Sequence, residues 1–152
     1  MKTIVVLSDT HGNFGEIDKI LPIINESDYC IHLGDFERDI LSYKNEIKSK
    51  VYSVKGNCDG CGEEQVFDID GVKTLIVHGD KYDVKSSLFK LYLRAKELGA
   101  KLVLYGHTHI ADKLEKEGIL FVNPGAMARF YDKSYAYIVI HDQKITCKIV
   151  KF

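Results

Sequence analysis

The sequence of 152 residues lacks any apolar run that approaches a transmembrane helix, which takes about 20 consecutive apolar residues. It also lacks, behind Met1, a charged segment followed by a long apolar region and a cleavage site, so we expect no secretory signal. The formal net charge is only -1, which gives no electrostatic basis for general binding to nucleic acid or to a membrane surface. These absences favour a cytoplasmic protein that does not enter a membrane.

Cysteine is scarce, and repeats and low-complexity tracts are absent. The four cysteines are scattered at Cys30, Cys58, Cys61 and Cys147, which is typical of reduced cytoplasmic thiols rather than of a disulfide framework. Cys58 and Cys61 form a CxxC pair, but a single pair makes a zinc or redox site the less favoured interpretation. Because the length fits one domain and no linker interrupts the chain, we predict a single domain over residues 1–152.

Apolar runs alternate with amphipathic segments along the chain, and this order predicts the fold class. We expect strands at 3–8, 29–33, 51–54 and 102–105, and helices at 14–27, 39–50 and 85–98. Three hairpins are predicted, with turns at 70–71, 117–118 and 142–143. This order favours an α/β domain in which two mixed sheets pack face to face with helices outside.

Polar side chains suited to metal binding follow five of the predicted strands. They are Asp9 and His11, Asp35, Asn57, His78, and His107 with His109. Ligands of open α/β sheets bind beyond the carboxyl ends of the strands, so we expect these groups to converge on one edge. Glycine accompanies nearly every group and permits close approach of the backbone to a bound ligand. Each pair alone could be an ordinary turn, but five such coincidences argue against that interpretation.

The donor set consists of imidazole, carboxylate and one amide, with no required thiolate. Such donors suit divalent manganese, iron, cobalt, nickel or zinc rather than an iron–sulfur cluster. Seven donors exceed one tetrahedral site, and they fit two ions that share a carboxylate. Two-metal sites of this kind act on in-line displacement reactions.

The motifs also resemble those of a known family. Asp9-x-His11, Gly34-Asp35, Gly56-Asn57, His78-Gly79 and Gly106-His107-Thr108-His109 resemble, in order and rough spacing, the motifs of the calcineurin-like metallophosphoesterases. The small size, Gly56-Asn57-Cys58-Asp59 and Asn123-Pro124-Gly125 are most similar to the small YfcE-type phosphodiesterases. The resemblance implies a four-layer α-β-β-α sandwich of two mixed sheets, and a two-metal-dependent phosphoesterase that acts on diesters rather than monoesters.

The resemblance also implies the roles of the site residues. One metal takes Asp9, His11, Asp35 and His109, and the other takes Asp35, Asn57, His78 and His107. Asp35 bridges the two ions, and a hydroxide between them attacks phosphorus. Asp35, Asn57, His107 and Asp59 form the implied catalytic set. We expect manganese first, with nickel, iron, cobalt or zinc as alternatives.

One departure from the family concerns the general acid. Many members carry histidine directly after the motif asparagine, where this chain has Cys58, whose thiol has an ordinary pKa about two units above that of histidine. Asp59 could serve as the acid, or could instead hold Asn57 in place. We therefore expect substrates with leaving groups of low pKa. Asn57 and Arg129 are the predicted contacts to substrate phosphate, although Arg129 could equally be a surface residue.

The expected partner is a small phosphate ester substrate, and the exposed hairpins near the end leave a homo-oligomer open. Two alternatives remain for the function. One is a phosphomonoesterase with the same site. The other is a non-catalytic protein-interaction scaffold, as in the retromer subunit that has this fold. We would expect a scaffold to have lost donor residues, whereas all seven are present here.

Overall fold

The computed structural model describes residues 1–60, 64–128 and 131–152. In chain order the elements are β1 (Lys2–Leu7), α1 (Phe14–Glu26), β2 (Tyr29–His32), α2 (Arg38–Leu41), β3 (Lys50–Ser53), β4 (Gln65–Ile69), β5 (Val72–Ile76), a 3-10 turn (Asp80–Tyr82), α3 (Phe89–Leu98), β6 (Leu102–Leu104), β7 (Asp112–Lys116), β8 (Ile119–Asn123), β9 (Ser134–His141) and β10 (Lys144–Lys151). Among the described residues, no helix combines the length and the apolar character that crossing a bilayer requires.

The strands of the described residues form two five-stranded mixed sheets. The first sheet has the order β10-β9-β1-β2-β3, and the second has the order β4-β5-β6-β8-β7. In the first sheet β1, β2 and β3 run parallel, whereas β9 and β10 form an antiparallel hairpin beside β1. In the second sheet β5, β6 and β8 run parallel between two antiparallel edge strands. Each sheet therefore has three neighbouring strands whose carboxyl ends point the same way.

Alternate residues of β1 enter different apolar clusters. Ile4 and Val6 belong to the core between the two sheets, whereas Val5 and Leu7 pack in a cluster with Ile17 of α1. Burial on both faces explains why the strand is a continuous apolar run instead of an alternating one. A third cluster packs α3 against the outer face of the second sheet. The predicted four-layer α-β-β-α sandwich of two mixed sheets is confirmed.

The prediction of a helix over residues 39–50 is wrong. The helix α2 ends at Leu41, and turns occupy residues 42–46. The Ser42 hydroxyl donates to the Asp39 carbonyl at 2.7 Å, and Glu46 N–H bonds to Tyr43 O at 2.8 Å, a tight three-residue spacing. Serine and asparagine side chains in this stretch compete with the helical backbone for hydrogen bonds, which disfavours a continuous helix.

The other predicted elements are present with shifted boundaries. The third helix begins at Phe89 instead of residue 85, because a 3-10 turn and the left-handed Asp83 precede it. Gly99 ends it in the left-handed conformation expected of a C-terminal glycine. The helix α1 continues through Pro22 without ending. All three hairpins are confirmed, and both residues of each two-residue turn have positive φ.

Candidate metal centre

The loops that follow β1, β2, β5 and β6 deliver six predicted ligands to one end of the sandwich. Their donor atoms form two groups, and within each group all lie within 4.8 Å of one another. The first group is Asp9, His11, Asp35 and His109, and the second is Asp35, His78 and His107. Asn57, the seventh predicted ligand, lies beside the second group, with Oδ1 2.9 Å from Nε2 of His78. Asp35 belongs to both groups.

The backbone at these positions is strained. Five of the predicted ligands have a left-handed φ, namely Asp9 (54°), His11 (46°), Asp35 (58°), His107 (72°) and His109 (64°). A non-glycine residue in this region costs on the order of 1–3 kcal/mol and persists only where the surrounding structure enforces it. Several other non-glycine residues with a positive φ lie in the hairpin turns, where this conformation is expected. These five residues instead follow strands whose ends meet at one place, and we infer that their convergence serves a function rather than the fold.

The two carboxylate oxygens of Asp35 have different environments. Oδ1 accepts a hydrogen bond from the Cys58 backbone N–H at 2.9 Å. Oδ2 lies 3.6 Å from Nε2 of His11 and 3.4 Å from Nε2 of His78, so it faces both donor groups. Burial raises the pKa of Asp35, but the hydrogen bonds from His78 and Cys58 N–H hold it well below its usual range. The carboxylate is therefore ionised, with one oxygen fixed and the other directed between the groups.

Asp9 is held in a similar way. Its Oδ2 accepts from the Ser8 hydroxyl and from the His107 backbone N–H, while its Oδ1 lies 3.0 Å from Nε2 of His109. The side chain is fully buried. Ser8 was missed by the sequence analysis, since a serine at the end of an apolar strand carries no distinctive signal.

The orientation of His78 is fixed by a backbone carbonyl. His78 donates from Nδ1 to the Leu33 carbonyl at 2.7 Å, which leaves Nε2 as the ligand atom. This nitrogen faces the carboxylate of Asp35 and the amide oxygen of Asn57, which are both acceptors, so the arrangement requires a positive charge. Burial lowers the pKa of His78, but the neighbouring Asp35 and Asp9 raise it above its usual value.

His11 gives the plainest indication of a site for a cation. Its Nε2 is buried and makes no hydrogen bond to any described residue, although it points toward Asp9 and Asp35. An unpartnered buried nitrogen is costly, and a cation among the two carboxylates would satisfy it. Imidazole and carboxylate donors are suited to borderline divalent ions. The residues therefore fit the metal ions that the donor set predicts.

Asp59 joins two of the loops around the centre. Its carboxylate accepts backbone N–H groups from Phe36 at 2.7 Å, Glu37 at 3.3 Å and Gly56 at 3.0 Å. The first two follow Asp35 in sequence, and the third precedes Asn57. With three donors on its two oxygens, the carboxylate is engaged in holding these loops together. This geometry favours the second of the two roles considered for Asp59.

A buried network that the sequence analysis missed supports the Asp9–His11 loop. Oδ2 of Asp39 accepts from the Thr10 hydroxyl at 2.6 Å and from Gly12 N–H at 2.6 Å. Nε2 of His32 lies 3.0 Å from the same hydroxyl, and its Nδ1 accepts from Gly34 N–H at 3.1 Å. Burial lowers the pKa of His32 to about 4, so the ring is neutral. Asp39 had no local signal, because an acid near the start of an amphipathic segment is usually a surface residue.

Asn123, in the Asn123-Pro124-Gly125 motif, fixes the loop that carries His107 and His109. Its Nδ2 donates to the Gly106 carbonyl at 3.2 Å and to the Thr108 hydroxyl at 2.9 Å. Its Oδ1 accepts from Gly125 N–H at 2.9 Å. The motif that carried part of the family resemblance is therefore a support for the histidine loop.

Three further residues that the sequence analysis considered lie either beside the centre or outside the described residues. The Cys58 side chain is exposed, with Sγ 3.9 Å from Nδ2 of Asn57. Burial and the nearby Asp35 raise the pKa of the Cys58 thiol. Arg129 and Cys61 lie outside the described residues, so the phosphate-binding role of the first and the CxxC interpretation stay predictions.

Two mixed sheets that present imidazoles and carboxylates at the ends of their parallel strands define the metallophosphoesterase class. A model of the calcineurin-like phosphoesterase superfamily domain matches residues 1–144, and the chain belongs to this family. The family and the donor groups together indicate a metal-dependent phosphoesterase that binds divalent ions.

Individual relatives agree with this assignment. The probable metallophosphoesterase YsnB of Bacillus subtilis is 32% identical over 95% of this chain and 88% of its own length. A phosphodiesterase of Methanocaldococcus jannaschii is 29% identical over 79% of this chain and 81% of its own. A crystal structure of a predicted phosphoesterase from Streptococcus pneumoniae superposes with a TM-score of 0.83, at 28% identity over 99% of this chain and 89% of that one.

Proposed function

We propose that the protein is a two-metal-dependent phosphodiesterase that cleaves small phosphate esters in the cytoplasm. The observation that carries the proposal is the sharing of Asp35 between two groups of donor atoms. Two ions held by a common carboxylate can clamp the attacking and leaving oxygens of an in-line displacement. The preference for diesters is supported by the similarity to the phosphodiesterase of M. jannaschii.

In this proposal Asp9, His11, Asp35 and His109 hold one ion, and Asp35, Asn57, His78 and His107 hold the other. When bound, the ions would supply an activated water and neutralise the charge that develops on the phosphate oxygens. The chain itself orients the donors through the hydrogen bonds to Asp35, Asp9 and His78. The side chain of Asn57 is exposed, and its Nδ2 is available to donate to a phosphate oxygen once Oδ1 faces the second group.

The proposal includes a preference for good leaving groups. The position after Asn57 holds the thiol of Cys58, whose ordinary pKa is about two units above that of histidine. A proton held this tightly is poorly suited to neutralise a departing alkoxide near neutral pH. Asp59 is occupied by three backbone donors. We therefore propose that the leaving group departs largely without protonation by the protein.

The proposal is tested by ester hydrolysis with defined metal content. Chelator-stripped protein is reloaded with Mn²⁺, and in parallel with Ni²⁺, Fe²⁺, Co²⁺ or Zn²⁺. Hydrolysis of bis(p-nitrophenyl) phosphate is then compared with that of p-nitrophenyl phosphate. We expect the diester to be cleaved faster than the monoester, and only when metal is present. The variant His107→Ala should cleave it at least about 100-fold more slowly, because even residues that merely support metal ligands contribute 10–100-fold. His141→Ala, at an exposed histidine on the β9–β10 hairpin, is the matched control.

The other outcomes separate the alternatives. A monoester preference would retain the metal mechanism and make the protein a phosphomonoesterase. Elemental analysis of the active protein should find two ions per chain, and a single ion with full activity would refute the two-metal mechanism. If no metal supports cleavage of either ester, the protein-interaction scaffold becomes the better explanation.

A further inference from the structure

A cavity of about 330 Å³ adjoins the second donor group on the side of His78. Its lining includes Lys55, Glu64, His78, Asp80, Lys81 and Tyr82. The volume lies at the lower end of the range of small-molecule sites. We propose that this cavity binds the non-reacting alcohol of the phosphate ester and selects an alcohol that carries an anionic group, a carboxylate or a second phosphate. This inference rests on the proposed function, since it names the substrate class of the same site.

The position of His78 connects the cavity to the reaction. One imidazole both lines the cavity and belongs to the second group of donor atoms. Gly79, also part of the lining, follows with a φ of 118°, and a Cβ there would overlap a methyl group of Val84. The chain therefore turns away directly after His78, and a side chain at position 79 is excluded. Because His78 is shared, a phosphate ester bound at the second donor group would lie beside this cavity.

The carboxylate of Glu64 is engaged by other side chains, which weakens its repulsion of an anion in the cavity. Nε of Arg94 lies 3.2 Å and 3.1 Å from its two oxygens, and the Tyr82 hydroxyl donates to it at 2.8 Å. These contacts leave Glu64 as a support for the Tyr82 ring, which forms part of the wall. The ring and the nearby Val77 give the cavity an apolar surface suited to a short carbon spacer.

The amine of Lys55 supplies the attraction for an anion. Lys55 is exposed at the cavity and forms no hydrogen bond or ion pair with the described residues. Lys81 and Asp80 also belong to the lining and contribute one charge of each sign. Arg94 pairs with both Glu64 and Glu97, so it adds no surplus positive charge to the cavity. An anionic group of the ligand would pair with the amine of Lys55, and this charged hydrogen bond would discriminate it from a neutral ligand.

The experiment compares diesters that share the p-nitrophenol leaving group and differ in the other alcohol. The test substrates are p-nitrophenyl 2-carboxyethyl phosphate and p-nitrophenyl 2-phosphoethyl phosphate. The neutral control is p-nitrophenyl 2-carbamoylethyl phosphate, which has nearly the shape of the carboxylate. On metal-loaded protein we expect kcat/KM to be about tenfold higher for the carboxylate than for the amide, chiefly through KM. The phosphate arm shows which of the two anions is preferred.

Variants of Lys55 test whether its amine is the source of the preference for an anionic alcohol. Lys55→Gln should abolish the preference for the carboxylate over the amide, and Lys55→Arg should retain most of it. Lys144→Gln is the matched control, because Lys144 is an exposed lysine on the β9–β10 hairpin. Equal kcat/KM for carboxylate and amide, or an unchanged preference in Lys55→Gln, would overturn the inference while the phosphodiesterase stands.

A binding measurement keeps the inference separate from the activity. Calorimetric titration with 2-carboxyethylphosphonate and 2-carbamoylethylphosphonate needs no turnover. Tighter binding of the carboxylate, lost in Lys55→Gln, would support the anionic cavity even if no ester were cleaved and the proposed function failed. Equal binding of the two phosphonates would refute it.

Discussion

Asp35 and Asp59 have the same side chain but different roles at the candidate metal centre. Asp35 has one oxygen fixed by a backbone N–H and the other directed between two histidines. Both carboxylate oxygens of Asp59 accept hydrogen bonds from backbone N–H groups of the surrounding loops. A carboxylate is thus available to an ion only where the backbone leaves one oxygen unbound. This distinction depends on neighbours that are distant in the chain, so a motif cannot convey it.

Asp59→Asn tests whether this residue is a general acid or a support. An asparagine amide offers one acceptor oxygen to three backbone donors, so we expect the free energy of unfolding to fall by about 1–3 kcal/mol. If Asp59 is a support, kcat/KM falls by a similar factor for p-nitrophenyl and unsubstituted phenyl diesters. A loss that grows as the leaving-group pKa rises would instead identify Asp59 as the acid. Asp68→Asn, at an exposed aspartate of β4, is the control.

At the scale of elements, the short turns after the parallel strands decide the geometry of the centre. The loops after β2 and β3 approach so closely that a Cβ on Gly56 would overlap the carboxylate oxygen and the amide nitrogen of Asp35. A Cβ on Gly34 would overlap the backbone of Gly56 and the imidazole of His78. Glycine at these strand ends therefore permits the contact between the first sheet and the second at the centre.

Gly56→Ala should weaken metal binding without removing any donor atom. The added methyl group displaces the Asp35 carboxylate or moves the loop, and a perturbation of groups that orient ligands costs about 10–100-fold in metal affinity. Metal titration of the stripped protein measures the change. Gly15→Ala is the control, because no atom lies within 4 Å of a Cβ at that position in α1. Equal affinity in the two variants would contradict the assigned role of Gly56.

At the scale of the whole molecule, the candidate metal centre joins the two sheets. Asp9 and Asp35 follow strands of the first sheet, whereas His78, His107 and His109 follow strands of the second. Ions bound to both sets would cross-link the sheets at one end. Ions that bind the folded chain alone also stabilise it in proportion to their concentration above the dissociation constant.

Thermal unfolding should therefore show one transition that moves upward with metal. An ion at 100 times its dissociation constant stabilises by about 2.7 kcal/mol. For a chain of this size each kcal/mol raises Tm by about 2–4 °C. Calorimetry with and without chelator measures the shift in Tm. The variant Asp35→Asn should abolish this shift, and Asp142→Asn, at an exposed turn, should retain it.

The same samples test two other predictions. Two separate transitions would contradict the predicted single domain of residues 1–152, and size-exclusion chromatography tests for a homo-oligomer.

Most of the fold could be predicted from the sequence, because it depends on local patterns. Apolar runs identified the buried strands, and two-residue turns such as Asp70-Gly71 identified the hairpins. The helix prediction for residues 39–50 was wrong because a local pattern was not sufficient there. Its apolar residues satisfied a helical spacing, but the helix ends at Leu41, which is exposed, and Tyr43 is buried in the turns that follow. Spacing alone does not distinguish a helix from successive turns that bury the same side chains.

The sequence by itself determined which side chains could act as metal donors, since each occupies a short motif at the end of a strand. Only the tertiary structure decided that Asp39 and Asp59 support the loops and that a cavity lies beside His78. A donor's chemical type is a property of one residue. Its available oxygen, its partners and the space around it depend on which loops meet, and that is set by the packing of the two sheets.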